Sequence, residues 1–274
     1  MSTPLRRISR SPHADLPIGS ADVLPRLAAT AWPHRAALRA GDRTVTFAEF
    51  DHDVSRLAFG LRQWLGGDGL PVVVAALPGI DFPTACHAVL RSGNVVAPIN
   101  PRMPATTFAG VLEAVRPCAV MLGRAMFERV RPELAGHTGL EQVLLLDAPT
   151  FNGPLTCAEL ATRGSLLVEP RDRDENEPAV LAGDERLTHH DVKVRAYAAA
   201  TGAGFGEGSV VLNAGPAFRV DDVCAALAAG ATQVVFGHPD PAAAVREADR
   251  VGATHLCDGV RTGHFRSGGE AVAS

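Results

Sequence analysis

The stretch Pro178–Val192 reads PAVLAGDERLTHHDV, and it restates Ala36–Phe50, AALRAGDRTVTFAEF. Each has a short apolar run, then Ala-Gly-Asp and a charge, then a threonine, then a run with helical spacing. A two-residue Gly-Asp connection between short strands predicts a hairpin. Glycine in the first central position suits a type II′ turn because it accepts positive φ. Thr46 then opens a helix: its hydroxyl accepts from the Glu49 amide while the Glu49 carboxylate reaches back, forming a capping box. Thr188 repeats the arrangement with Asp191 three residues on. Phe47, Phe50, Val54, Leu57, Leu61 and Trp64 fall on one helical face, and Val192, Ala196, Ala199 and Ala200 give the second copy its stripe.

Outward from these two units, strand and helix alternate. Ala21–Trp32 reads as a short helix. Val72–Leu77, Val95–Pro98, Ala119–Leu122 and Val143–Asp147 read as strands. Between them lie helices over Asp81–Ser92, Pro104–Arg116 and Arg124–Leu134. After the second hairpin come strands at Ser209–Leu212, Gln233–Phe236 and Thr254–Cys257, with helices over Asp221–Ala229 and Pro239–Val251. Short apolar strands separated by helices imply mainly parallel sheets covered on both faces. The repeat continues past the hairpins: CHAVLRSGNVVAP parallels CAALAAGATQVVF, and LEAVRPCAVMLG parallels READRVGATHLCDG. The fold expected is therefore α/β, two pseudo-symmetric αβαβα subdomains packed side by side. The division is a flexible tail over 1–20, a first subdomain over 21–147, a connector over 148–178, a shortened second subdomain over 179–260 and a flexible tail over 261–274.

Composition narrows the function. The chain has 274 residues, 46% hydrophobic and 20% charged, with net charge -4. It is long enough for a substantial core, and without a basic footprint it excludes nucleic acid as a partner. No apolar run approaches a membrane span, and the amino end lacks the apolar core of a signal peptide. Five scattered cysteines without metal-type spacing read as reduced thiols in a cytoplasmic protein.

The segments PHRAALRAGDRTVTFAEFDHDVSRLAFGLRQWL and DFPTACHAVLRSGNVVAPINPRMP resemble the opening of the AMP-forming adenylating superfamily, which holds acyl-CoA synthetases, peptide-synthetase adenylation domains and luciferases. In that family a hairpin precedes a Thr-Tyr-x-Glu-Leu helix start, and a helix ends in Gly before a strand running into Pro-x-Asn-Pro. The resemblance covers residues 21–147 closely and 177–260 loosely. It implies an amino-terminal domain of two similar αβαβα halves, which accounts for the repeat.

The resemblance also shows where this chain departs. At the position of AVLAGDERLTHHDV the family carries Thr-Ser-Gly-Thr-Thr-Gly-x-Pro-Lys-Gly, a loop that wraps the ATP phosphates. Such a cradle needs glycines for close backbone approach, amide and hydroxyl donors and a lysine. Here Leu181 passes through Ala182, Gly183, Asp184 and Glu185 directly to Leu187, Thr188 and His189. Two carboxylates stand where a triphosphate would lie. Arg219 replaces the histidine of the family's Pro-x-Phe-His segment. Lys193, the only lysine, matches neither family lysine. The adenine-binding and Tyr-Gly-x-Thr-Glu regions, the ribose-binding aspartate and the mobile domain with its catalytic lysine have no counterpart in these residues.

The expectation is a non-adenylating relative that uses no cofactor. It would act as an accessory or binding protein in specialised metabolism, partnered by a carrier protein or pathway enzyme. The alternative is an enzyme whose old acyl or aryl pocket does nucleotide-independent chemistry. A short sheet leaves an edge for a homodimer. A ligand pocket belongs at the carboxyl ends of the strands, which points to Arg219, Asn213, His238 and Asn100. Arg219 has two readings, carboxylate binding or a salt bridge to Asp221 or Asp222. His189 and His190 are adjacent on a helix and point about 100° apart, so they do not suit one metal ion. His238, His255 and His264 near Cys257 and Asp258 admit a Cys/His nucleophile or plain surface histidines with a buried thiol. The glycine-rich TGAGFGEG (Thr201–Gly208) follows a helix and precedes a strand, the reverse of a phosphate loop.

Overall fold

The computed structural model describes residues 16–137, 140, 142–163, 173–215, 219–237, 240–257, 262–266 and 270–272. Helix α1 (Val23–Ala31) leads into the hairpin β1 (Ala36–Ala40) and β2 (Arg43–Thr46), then α2 (Phe47–Leu65). The first crossover run is β3 (Pro71–Ala75), α3 (Asp81–Arg91), β4 (Val95–Pro98), α4 (Ala105–Val115), β5 (Ala119–Leu122), α5 (Arg124–Gly136) and β6 (Gln142–Leu145). Strand β7 (Leu155–Thr156) and helix α6 (Cys157–Thr162) follow. The plan restarts with β8 (Pro178–Ala182), β9 (Glu185–Thr188) and α7 (His189–Ala203). It ends with β10 (Val210–Asn213), α8 (Val220–Ala229), β11 (Thr232–Val235), α9 (Pro241–Val251), β12 (His255–Cys257), β13 (Thr262–Arg266) and β14 (Glu270–Val272).

These strands make two seven-stranded sheets, ordered β14-β13-β12-β10-β11-β1-β2 and β7-β6-β5-β3-β4-β8-β9. Each sheet takes its hairpin from the other half of the chain. Strand β1 runs parallel to β11, with Leu38 opposite Gln233, and β8 runs parallel to β4, with Val96 opposite Val180. The sheets therefore cross the boundary drawn from the sequence. The two hairpins share one register: Ala36 faces Thr46 and Leu38 faces Val45 in the first, Pro178 faces Thr188 and Val180 faces Leu187 in the second. Both turn on a glycine at positive φ, 55° at Gly41 and 61° at Gly183. Both feed a capping box, Thr46 with Glu49 and Thr188 with Asp191.

Helices α1, α2, α3, α7 and α8 pack between the sheets, and one apolar cluster runs through both halves, from Phe47, Phe50 and Leu61 to Val192, Val223 and Leu227. Buried charge ties the amino-terminal segment across it. Arg91, with its side chain 1% exposed, donates to Asp22 at 3.1 Å and to Asp51 at 2.6 Å. Lys193 is fully buried; its Nζ donates to the carbonyls of Pro17 at 2.7 Å and Gly19 at 2.6 Å and to Glu175 at 3.0 Å.

Three expectations change. Residues 17–20 are not a tail, because Lys193 holds the carbonyls of Pro17 and Gly19; residues 1–15 lie outside the described residues. The connector carries β7 and α6, and Thr156 with Glu159 forms a third capping box there. The stretch after residue 260 adds β13, antiparallel to β12, and β14, antiparallel to β13, to the sheet, and Phe265 enters a core cluster with Leu212, Val234 and Ala248.

Candidate functional site

At the carboxyl end of β4, residues Pro98, Ile99 and Asn100 meet β9, α7 and the start of α8 around a cleft of about 220 Å³. The pairing of β4 with β8 creates it, since that pairing brings the second hairpin to the first half's sheet. Glu185 on β9 and Arg195 on α7 form an ion pair at 2.9 Å across the cleft. Arg219, half-exposed ahead of α8, pairs with Asp221 at 3.4 Å. Asn100 spends its Oδ1 on the Arg102 amide at 2.9 Å, which fixes the turn after β4. The cleft thus holds two arginines and two carboxylates that neutralise one another. The Glu185 hydrogen bond raises the Arg195 pKa.

Of the residues picked from the sequence, Arg219, Asn100 and Glu185 come together here. Gly183 and Asp184 form the two-residue turn between β8 and β9. Asn213 ends β10, buried beside its strand partners Val235 and Cys257, and both polar atoms of its side chain lack hydrogen-bond partners among the described residues. His238 and Asp258 lie outside the described residues.

The histidines and thiols sort differently from the sequence reading. Cys257 donates to Asp222 Oδ2 at 3.4 Å, and burial raises the Asp222 carboxyl above its ordinary range. His255 is buried, stacks edge-on to Phe205 at 4.9 Å and lies 4.4 Å from the His264 ring. The thiol–imidazole contact that does form is Cys224 Sγ to His87 Nε2, 3.9 Å apart. Burial pushes the thiol pKa up and the imidazole down to about 3, so this is a neutral core pair and not a thiolate nucleophile. His189 is buried and accepts from the Ala21 amide at 3.2 Å, while His190 faces Glu175 at 3.9 Å. Among the described residues no three His, Cys, Asp or Glu side chains are placed to hold a metal ion, and no helix is long and apolar enough to cross a membrane.

This architecture is that of the amino-terminal domain of AMP-forming ligases. The long-chain-fatty-acid-CoA ligase FadD1 of Archaeoglobus fulgidus superposes with a TM-score of 0.80 at 19% identity, over 87% of this chain and 51% of that one. Mycobacterium smegmatis MbtA gives 0.77 at 25% identity, over 88% and 48%. Residues 26–182 match the AMP-binding enzyme family, and the chain belongs to it. The nonribosomal peptide synthetase agiA of Aspergillus flavus is 30% identical over 121 residues, 43% of this chain and 2% of that protein. The phosphinothricin tripeptide synthetase PhsC of Streptomyces viridochromogenes is 29% identical over 157 residues, 57% and 12%. The chain thus spans about half the length of these solved structures and a small fraction of these synthetases.

Proposed function

We propose that this member of the family does not form acyl-adenylates and acts as a binding or accessory protein, with a carrier protein or a pathway enzyme as its partner. The observation that supports this most is internal to the chain. Where the family's phosphate loop stands, β8 passes to β9 through Gly183 and Asp184 alone, and Glu185 spends its carboxylate on Arg195. A two-residue turn offers few amide donors and no lysine. Charge developing on the α-phosphate would meet carboxylates where catalysis needs cations, and preorganised donors of that kind supply several kcal/mol. The similarity to nonribosomal peptide synthetases supports a carrier-protein partner.

The second reading is an acyl or aryl pocket turned to nucleotide-independent chemistry. It is favoured by Arg219, whose loose 3.4 Å pair leaves a half-exposed guanidinium on the cleft beside Asn100. Calorimetry at millimolar Mg-ATP, with pyrophosphate release assayed against carboxylic acids alone and with coenzyme A, separates the readings from a working ligase. Neither binding nor release is expected. Saturable ATP binding that persists in the double variant Asp184→Ala, Glu185→Ala would defeat the proposal. Arg219→Ala tests the second reading: it should weaken carboxylate ligands by about 1.5–3 kcal/mol, one charged hydrogen bond.

A further inference from the structure

The cleft at β9 has a counterpart elsewhere in the molecule. The hairpin registers match residue for residue, Thr46 to Thr188 and Ala40 to Ala182. By that equivalence Glu185 on β9 corresponds to Arg43 on β2, and Arg195 on α7 corresponds to Asp53 on α2. Arg43 and Asp53 line a cleft of about 490 Å³. As the start of α8 borders the first cleft with Arg219 and Asp221, the start of α3 borders this one with Asp81 and Thr84.

The two clefts differ in charge and in closure. In the smaller, the edge strand is anionic and the helix cationic, and the pair shuts at 2.9 Å. In the larger the signs are reversed and the pair does not form: Arg43 turns to Asp81 at 3.6 Å, with both side chains partly exposed. Asp53 is left without an ion-pair partner among the described residues. Arg56 directs its Nε to the Ala161 carbonyl at 3.3 Å. Asp147 lines the cleft as a third carboxylate and accepts from the Arg124 amide at 2.7 Å. Three aspartates thus stand against two arginines that already have acceptors.

A separate observation concerns Cys157, which lines this cleft. It is 7% exposed, and its thiol has no hydrogen-bond partner among the described residues. Burial raises its pKa, and Asp81 and Asp147 are near enough to add to the rise. Partial burial likewise raises the Asp81 carboxyl, and Asp147 and Asp53 push the same way against Arg43. The carboxylates therefore crowd one another around an unpartnered thiol. Leu57, Leu146 and Ala161 complete an apolar wall, and the volume lies in the range of small-molecule sites.

We propose that this counterpart cleft is a second ligand site, and that it takes a small organic monocation. The ammonium of an amine would lie against Asp53 and Asp81, and the amine's apolar body on Leu57, Leu146 and the Cys157 thiol. One positive charge matches the single carboxylate in excess, whereas a carboxylate ligand would add to the repulsion. The site is independent of the reading given to the β9 cleft.

The probe is 2-phenylethylamine, titrated into the intact chain by calorimetry near neutral pH, with 3-phenylpropanoate as the anionic analogue. Saturable amine binding is expected, and the acid should neither bind at this cleft nor compete. Asp53→Asn, at an unpaired and partly exposed side chain, should weaken the amine at least about tenfold, the loss of one charged contact, without moving the thermal midpoint. Ala158→Phe, at an exposed position on the rim, should reduce binding by filling space with no change of charge. Arg195→Ala, in the β9 cleft, should leave it unchanged. Absence of saturable amine binding, an affinity in Asp53→Asn and Ala158→Phe unchanged from that of the unsubstituted chain, or loss in Arg195→Ala alone would each overturn the proposal.

Discussion

At His87 the imidazole is fully buried, edge-on to Phe50 at 5.8 Å, and its Nδ1 has no hydrogen-bond partner among the described residues. Desolvation is the main cause of its depressed pKa of about 3, with Arg91 adding to it against Asp22. The unfolded chain binds this proton near pH 6.5 and the native chain does not. Stability is therefore fully present above about pH 6.5 and falls as pH drops towards 3, by up to about 1.4 kcal/mol per pH unit from this group. His189, lowered to about 4 by burial, acts in the same direction. The urea midpoint should fall between about pH 7 and pH 5, and should fall less in His87→Met. Equal falls in the two proteins would show that His87 is not kept neutral by the fold. Little of this was legible in the sequence, where His87 lies in an ordinary helical stripe and its burial depends on α2 and α8 closing over it. Arg219 is intermediate: its two readings came from VDDV beside it, and the structure puts its guanidinium on Asp221. The place of Asn213 at a strand end is legible in the sequence, but the burial of both its polar atoms without hydrogen-bond partners among the described residues is set by Val235 and Cys257 on the neighbouring strands.

At the scale of elements, local chemistry was readable and partner choice was not. The capping boxes of α2 and α7 and the turns at Gly41 and Gly183 follow from a few adjacent residues. The box at Thr156 uses the same chemistry but opens a six-residue helix, too short for an apolar stripe to announce it. Strands β13 and β14 were hidden because the burial of Phe265 depends on Leu212, Val234 and Ala248, which belong to other elements and lie well before it in the chain. Helix ends allow a controlled test. Gly230 and Gly252 both cap helices in the left-handed region with φ 65°. A Cβ on Gly252 meets nothing within 4 Å, whereas one on Gly230 would come within 2.7 Å of the Trp32 ring. Gly252→Ala should cost about 1 kcal/mol, the left-handed backbone penalty. Gly230→Ala should cost more, because the indole must also move from its packing on Phe47. Urea melts check the order, and Trp32 fluorescence should change in Gly230→Ala alone. Equal losses would mean that the indole yields without cost.

For the whole molecule, the exchange of hairpins between sheets decides how the halves behave together. A repeat read along the sequence suggests two units that could melt separately. The pairing of β1 with β11 and of β8 with β4 means that neither sheet keeps all its strands if the other half opens. The apolar cluster and the bonds from buried Lys193 to the Pro17 and Gly19 carbonyls also run across the boundary. Opening one half would expose apolar surface at roughly 25 cal/mol per Å² and strip a strand edge from the other, so partial unfolding should be costlier than joint unfolding. The two tryptophans report on different places. Trp32 lies against Phe47 and Gly230 near the sheet that holds β1, and the Trp64 carbonyl accepts from Gln142 beside the sheet that holds β6. Single-tryptophan variants Trp32→Phe and Trp64→Phe should therefore each unfold in urea in one transition, and fluorescence and far-ultraviolet circular dichroism should give the same midpoint within each variant. A fluorescence midpoint displaced from the circular dichroism midpoint in either variant would show that the halves part before they unfold, and that the exchanged hairpins do not bind them into one cooperative unit.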